Sequence, residues 1–111
     1  MTKETDRELL ELAAKAAGWR DFDWLAGDVR MNVYDAQGKQ SAWSPLTDDG
    51  DALRLAVKLG LVISPSRVTV MAYEPSSMAR DEVYEPIRPD PLAATRRAIV
   101  RAAAEIGRAM P

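Results

Sequence analysis

The sequence predicts an α+β domain in which three helices alternate with two β-hairpins, in the order α-β-β-α-β-β-α. Three segments have apolar residues at helical spacing between capping residues, and the segments between them alternate apolar and polar residues. The length of 111 residues suits one domain, residues 1–111. The four strands are expected to form one mostly antiparallel sheet.

The first helix is predicted at about residues 6–17. Thr5 and Glu8 have the spacing of a capping box, in which each side chain accepts a hydrogen bond from a backbone N–H at the helix start. Gly18 is placed to end the helix. Charged residues in every turn are unlike a signal peptide or a membrane span, so a cytoplasmic protein without a membrane partner is expected.

The next segment is predicted to be a loop followed by a hairpin. Residues 19–28 hold aromatics among aspartates without a clean period, which indicates an irregular loop with room for one short strand. Trp19 and Trp24 are expected to cover the end of the core rather than bind a ligand. Residues 29–34 alternate as a half-buried strand does, and residues 40–44 return as its partner after a turn.

The second helix is predicted to follow an N-cap at Thr47 and to end at Gly60. Its apolar residues cover well over half of the helix surface, which predicts that the helix is mostly buried. The first turn would contain three aspartates, where the helix dipole favours negative charge: Asp48, Asp49 and Asp51.

The second hairpin and the third helix complete the pattern. Residues 67–74 alternate as a strand, and residues 83–87 are predicted to pair back onto it. Asp90 and Pro91 have the pattern of an N-cap followed by proline at the first helical position, and the helix is expected to run to Gly107. One of its faces is apolar, with Leu92, Ile99 and Ile106, and the opposite face is expected to present three arginines to solvent: Arg97, Arg101 and Arg108.

The second helix indicates how many layers the fold has. It is too apolar to pack on one side of a sheet with its other face exposed to water. Three layers would bury it, with helices on both faces of the sheet or stacked on one face. The residue pattern leaves both arrangements open.

Two segments of the chain resemble a known family. The segment around Trp43 fits the pattern W-x-P-L/S-T/D-D-x-x-x-A, and the last helix contains the run A-T-R-R-A-I. Together they resemble the phage ABA sandwich domain family, small proteins of bacteriophage and prophage genomes, and the resemblance covers nearly the whole chain. The matched positions are Trp43, Pro45, Leu46, Thr47, Asp48, Asp49, Gly50, Ala52 and Leu53, then Ala94, Thr95, Arg96, Arg97, Ala98 and Ile99.

The resemblance implies a three-layer α/β/α sandwich and a phage or prophage origin. It implies no catalytic chemistry, since fold analogy alone carries no activity.

The composition excludes several chemistries. The chain has no cysteine and no histidine, which rules out thiolate nucleophiles, Ser-His-Asp and Cys-His catalysis, and the usual zinc ligands. Neither a buried carboxylate pair nor a glycine-rich phosphate loop is evident. We therefore expect no enzyme and no cofactor.

Six residues form the candidate interaction surface predicted from the sequence: Asp48, Asp49, Asp51, Arg97, Arg101 and Arg108. The aspartates are first of all helix-start residues, and two other interpretations stay open, a binding surface and a site for magnesium or calcium. The metal is least favoured, because the twelfth position counted from Asp48, where an EF-hand loop has glutamate, is Leu59. The arginines are either a solvated helix face, with Arg101 paired to Glu105, or a binding surface.

The function expected first is that of a non-catalytic protein made during phage infection or lysogeny, which binds a host or phage protein and blocks it. Inhibition of host defence, including the anti-CRISPR kind, belongs to this class. The alternative is a nucleic-acid- or nucleotide-associated accessory that uses the arginine face of the last helix, which the acidic net charge of −2 makes less favoured. A third possibility is a self-assembling structural component.

Overall fold

The computed structural model describes residues 4–25, 30–76 and 82–111. Three helices lie in these ranges, α1 (Asp6–Ala17), α2 (Asp49–Leu59) and α3 (Pro91–Ala109). The strands are β1 (Asp21–Trp24), β2 (Met31–Tyr34), β3 (Gln40–Trp43), β4 (Val62–Pro65), β5 (Thr69–Tyr73) and β6 (Val83–Pro86). They form two three-stranded antiparallel sheets, with the orders β1-β2-β3 and β4-β5-β6.

The α+β class is confirmed, whereas the single four-stranded sheet is wrong. Each half of the chain is a helix followed by a three-stranded antiparallel meander, so the order is α-β-β-β-α-β-β-β-α and not α-β-β-α-β-β-α. The two additional strands, β1 and β4, are both edge strands. An edge strand tolerates Pro65 in β4, because only one side of it must pair.

Both predicted hairpins are present. Strand β2 pairs with β3 so that Val33 lies opposite Ser41, and β5 pairs with β6 so that Val70 lies opposite Glu85. The part of the first predicted strand before Arg30 lies outside the described residues.

Helix α1 has the bounds and the caps that the sequence predicts. Thr5 Oγ1 accepts a hydrogen bond from the Glu8 N–H, and Glu8 Oε1 accepts one from the Thr5 N–H, both at 3.1 Å. Gly18 ends the helix with φ of 83°, a left-handed conformation that glycine adopts without a steric penalty.

Helix α2 differs from the prediction at its start and in its burial. The N-cap is Asp48 and not Thr47, since Asp48 Oδ2 accepts from the Asp51 N–H at 2.8 Å. Ala52, Leu55 and Ala56 are buried, whereas Leu53 and Val57 are 63% and 72% exposed. The prediction of a mostly buried helix is therefore wrong, because only one face of α2 contacts the core.

Helix α3 begins as predicted and continues past its predicted end. Asp90 Oδ1 accepts from the Ala93 N–H at 3.1 Å. Gly107 lies inside the helix, buried where α3 crosses α1, and a Cβ at this position would be 2.0 Å from the Leu12 carbonyl oxygen. This glycine permits a close helix crossing and does not end the helix.

Two apolar clusters form the interior, and α3 belongs to both. The first cluster combines side chains of α1, the first sheet, α2 and one side of α3, including Leu10, Val33 and Val100. The second joins the second sheet to the other side of α3 through Ala98 and Ala102. Trp19 and Trp24 pack against the first cluster, as the sequence predicts. None of the helices in the described ranges combines the length and apolar character needed to cross a membrane.

Candidate functional site

The arginines of α3 contact carboxylates and do not form a free cationic face. Arg97 Nη2 lies 2.8 Å from Asp6 Oδ1 on α1, and Arg101 Nη1 lies 2.5 Å from Glu85 Oε2 on β6. Arg101 also donates to the Tyr84 carbonyl oxygen at 3.0 Å. The side chains of Arg97 and Arg101 stay partly exposed, at 35% and 39%, but helix periodicity did not predict their carboxylate partners.

Arg108 connects the end of α3 to the residues before α1. Its Nη1 donates to Glu4 Oε2 at 2.7 Å, and its Nη2 lies 3.3 Å from Glu105 Oε1. The hydrogen bond from Arg108 holds the pKa of the Glu4 carboxyl below its usual value, and the same contact raises the pKa of Arg108. Glu105 was predicted to pair with Arg101, and it contacts Arg108 instead.

The three aspartates at the start of α2 also contact other residues of the fold. Asp49 Oδ1 lies 2.6 Å from Arg96 Nη1, and Arg96 Nε donates to the Leu46 carbonyl oxygen at 2.8 Å. This pair ties the start of α2 to α3. Asp48 supplies the N-cap and therefore stabilises the start of α2 itself.

Asp51 connects α2 to the end of the first sheet. Its Oδ2 accepts from the Ser44 N–H at 2.9 Å, and its Oδ1 lies 2.7 Å from Arg54 Nη2. The hydrogen bond to Asp51 raises the pKa of the Arg54 guanidinium. Across the described residues, no three or more carboxylate, imidazole or thiol side chains are grouped to hold a metal ion.

A cleft of about 750 Å³ lies between α1, β6 and α3. Of the six predicted residues it brings together Arg97 and Arg101, while the aspartates lie elsewhere. Its lining has more acidic than basic side chains, since the two arginines share it with Glu4, Asp6, Glu85 and Glu105. The cleft is therefore a network of internal ion pairs, in which any ligand has to displace an existing partner.

A second concavity was not predicted, and we call it the basic–apolar groove. It has a volume of about 650 Å³ and lies between the β4–β5 turn, the segment after β6 and the first turn of α3. Its lining is Pro65, Ser66, Arg67, Ile87, Arg88, Pro91, Leu92 and Thr95. Leu92 is 61% exposed, so it does not join the apolar stripe of α3 that the sequence predicts.

The two arginines of the basic–apolar groove are exposed and differ from those of α3. Within residues 4–25, 30–76 and 82–111, neither Arg67 nor Arg88 has a carboxylate partner. The lining itself contains no acidic residue. Among the side chains that the structure describes, none neutralises the positive charge of this groove.

The turn that carries Arg67 is held by a serine. Ser66 Oγ accepts hydrogen bonds from the backbone N–H groups of Val68 and Thr69, each at 3.1 Å. Val68, next to Arg67, is 74% exposed, and its carbonyl oxygen accepts from the Ile87 N–H at 2.9 Å. Arg67 and Val68 thus project from a fixed turn that is hydrogen-bonded to the segment carrying Arg88.

The sequence did not predict this groove, because helix periodicity assigned Leu92 to the apolar face of α3. The available signal was the Pro-Ser pair before Arg67, which is typical of a turn that presents its neighbours to solvent. Leu92 is the second residue of α3, where a helix start extends beyond the sheet it packs on. No family model, no curated protein and no solved structure matches this chain.

Proposed function

We propose that this protein is a non-catalytic, phage- or prophage-encoded accessory protein that binds a host protein through the basic–apolar groove. The observation that carries the proposal is a concavity lined by the exposed Leu92 and by two arginines that have no carboxylate partner within residues 4–25, 30–76 and 82–111. Val68, next to Arg67 in the turn, is exposed as well. The partner surface would be acidic with apolar side chains.

The composition of the groove agrees with what protein interfaces use. Interface centres are enriched in arginine and apolar side chains, and charge complementarity selects partners and accelerates their encounter. Arg67 and Arg88 lose no ion pair with a described residue when a partner carboxylate binds them, in contrast to Arg97 and Arg101. The hydrogen-bonded turn at Ser66 lowers the entropy cost of binding, because it is ordered before the partner arrives.

The phage origin, the site of action in the host cytoplasm and the three-layer α/β/α arrangement belong to the same proposal. Their support is the sequence resemblance around Trp43 and in α3, together with the core that the three helices share with the first sheet. Blocking a host defence protein is the activity of this class that we favour.

The alternative, a nucleic-acid-associated protein that uses the arginine face of α3, has less support. A phosphate would have to replace Asp6, Glu85 or Glu4, to which Arg97, Arg101 and Arg108 are already bound. The same experiment tests both functions, because nucleic acid bound through these arginines is released as salt rises.

The test is an affinity pull-down from lysate of the bacterial host at low and moderate salt, with bound proteins and nucleic acids both identified. It compares the wild type with the Arg67→Glu/Arg88→Glu variant. The control is Arg20→Glu/Lys39→Glu, which makes the same change in net charge at two exposed residues outside the groove. Circular dichroism establishes that each variant is folded.

We expect one host protein to be retained at moderate salt by the wild type and the control and to be lost from the groove variant. Equal retention by all three proteins would assign binding to another surface. Recovery of nucleic acid alone, released at moderate salt, would overturn the proposal in favour of the arginine face of α3.

A further inference from the structure

A pocket at the junction of α1, β3 and α2 has the features of a small-molecule site. It lies apart from the basic–apolar groove and has a volume of about 320 Å³. Two tryptophans, Trp19 and Trp43, line it with Leu55, and the basic side chains Arg54 and Lys58 line it as well. Pockets for small ligands combine such an apolar wall with a few polar groups that set orientation.

The two tryptophans hold each other in place. Their ring centroids are 6.5 Å apart and their planes meet at 67°, an edge-to-face arrangement. Trp43 is buried at the end of β3, whereas Trp19 is only partly buried. The Trp19 Nε1–H is buried and has no hydrogen-bond acceptor among the described residues. A buried donor left unpaired is uncommon and is costly, so this indole marks a position where an acceptor would be stabilising.

The charges around the pocket favour an anion. Lys58 Nζ lies 5.1 Å from the centroid of the Trp19 ring, a cation–π contact, and no carboxylate of the described ranges pairs with it. Arg54 is bound by Asp51, whose second oxygen accepts from the Ser44 N–H, so the charges of these two side chains cancel. Among the residues that line the pocket, the remaining net charge is the ammonium of Lys58. Asp48 lies 3.7 Å from Arg54 but does not line the pocket.

We infer that this pocket, the tryptophan pocket, binds a small aromatic carboxylate, with the ring against the two indoles and the carboxylate on Lys58. An aromatic ring gains both area burial and edge-to-face contact with tryptophan, and the ammonium supplies a charge-assisted hydrogen bond. A cationic ligand would meet Lys58 with like charge, and a neutral aromatic would leave the ammonium without a partner. The inference is independent of the proposed function, since none of these residues lines the basic–apolar groove.

The probe is phenylacetate, compared with the neutral phenylacetamide and the cationic phenethylamine. Each is titrated into ¹⁵N-labelled protein while the indole N–H resonances of the tryptophans are followed, and the Trp19 resonance is assigned with the Trp19→Phe variant. We expect phenylacetate to shift the Trp19 and Trp43 indole resonances saturably, and to bind at least five times more tightly than phenylacetamide.

Two variants locate the charge that binds the carboxylate. Lys58→Gln should weaken phenylacetate binding at least fivefold and leave phenylacetamide unchanged, whereas Lys39→Gln, a change of the same charge on another surface, should alter neither. Because Lys58 is exposed, the folded spectrum should be retained.

Three outcomes would overturn the inference. The first is the absence of saturable shifts at the two indoles, and the second is equal binding of the acid and the amide. The third is a set of shifts confined to residues around Arg67 and Arg88, which would place the carboxylate in the basic–apolar groove.

Discussion

Replacing Gly107 by alanine tests the close crossing of α1 and α3. An alanine Cβ would lie 2.0 Å from the Leu12 carbonyl oxygen and 2.8 Å from its carbonyl carbon, both backbone atoms of α1. Ordinary contact begins at 3.4 Å, so the helices would have to separate by more than 1 Å along this line. A gap of about 0.5–1 Å already forfeits a quarter to a half of the dispersion energy of the contacts that it opens.

The expected loss of stability follows from what the crossing buries. Leu10, Ala13 and Ala103 lie in the layer that would open, each with no exposed surface. Overpacking of such a layer costs about 1–3 kcal/mol, and we expect the upper end because backbone atoms cannot move aside. Helix propensity alone has the opposite sign, since alanine is favoured over glycine by about 1 kcal/mol in a helix interior.

The assay is urea unfolding followed by circular dichroism. With a slope of about 1.5 kcal/mol per M, a loss of about 3 kcal/mol lowers the midpoint by about 2 M. The matched control is Gly50→Ala in α2, whose Cβ would meet only side-chain atoms of Arg54 and Asp48, at 3.1 Å and 3.3 Å, and no backbone. The control should unfold at or slightly above the wild-type midpoint. A Gly107→Ala midpoint as high as that of the control would refute the close crossing.

Three further predictions concern pH, burial and capping. The pKa of Glu4 is lowered in the folded state by the hydrogen bond from Arg108, so its contribution is present at neutral pH and is lost as the pH falls from 4.5 through the lower folded-state pKa. Glu4→Gln should therefore lower the free energy of unfolding by up to about 1 kcal/mol at pH 7, and in acid the variant and the wild type should be equally stable. A difference in unfolding free energy that does not change with pH would contradict this. Leu53→Ser should change the unfolding free energy by less than about 0.5 kcal/mol, whereas Leu55→Ala should cost about 2–5 kcal/mol in the same urea titration. Equal losses for the two variants would show that both faces of α2 are buried. Asp48→Ala should lower the stability measured by thermal unfolding by about 1 kcal/mol. An unchanged stability would indicate that Thr47, and not Asp48, is the N-cap.

The helix ends could be predicted from the sequence because their determinants are local. The capping box of Thr5 and Glu8, the Asp90-Pro91 start and the left-handed Gly18 and Gly60 all involve groups within four or five residues of one another. A short sequence motif therefore contains all the residues that make such a contact. Two helix ends were predicted wrongly: the cap of α2 is one residue later than predicted, and α3 runs past Gly107 to Ala109.

The sequence did not define the two edge strands, β1 and β4, or the charge pairs, because their determinants are remote. Strand β1 alternates aspartates with Phe22 and Trp24, a pattern that becomes a strand only when β2 lies beside it. Arg97 and its partner Asp6 are 91 residues apart, so helix periodicity gives the direction of the arginine but not the carboxylate that meets it. For the same reason the sequence did not predict the basic–apolar groove, whose arginines meet no carboxylate in the part of the chain that the structure describes.

The pairing of α1 with α3 has a consequence for synthesis on the ribosome. Helix α1 is made first, yet Arg97 and Arg108 follow their partners Asp6 and Glu4 by 91 and 104 residues. Leu10 and Ala13 therefore lack the part of their cluster that α3 supplies while both sheets are being translated. A nascent chain that stops before α3 carries two meanders and an unpaired apolar helix, the kind of species that chaperones and proteases bind. The pairing of α1 with α3 can form only after α3 has left the ribosomal exit tunnel.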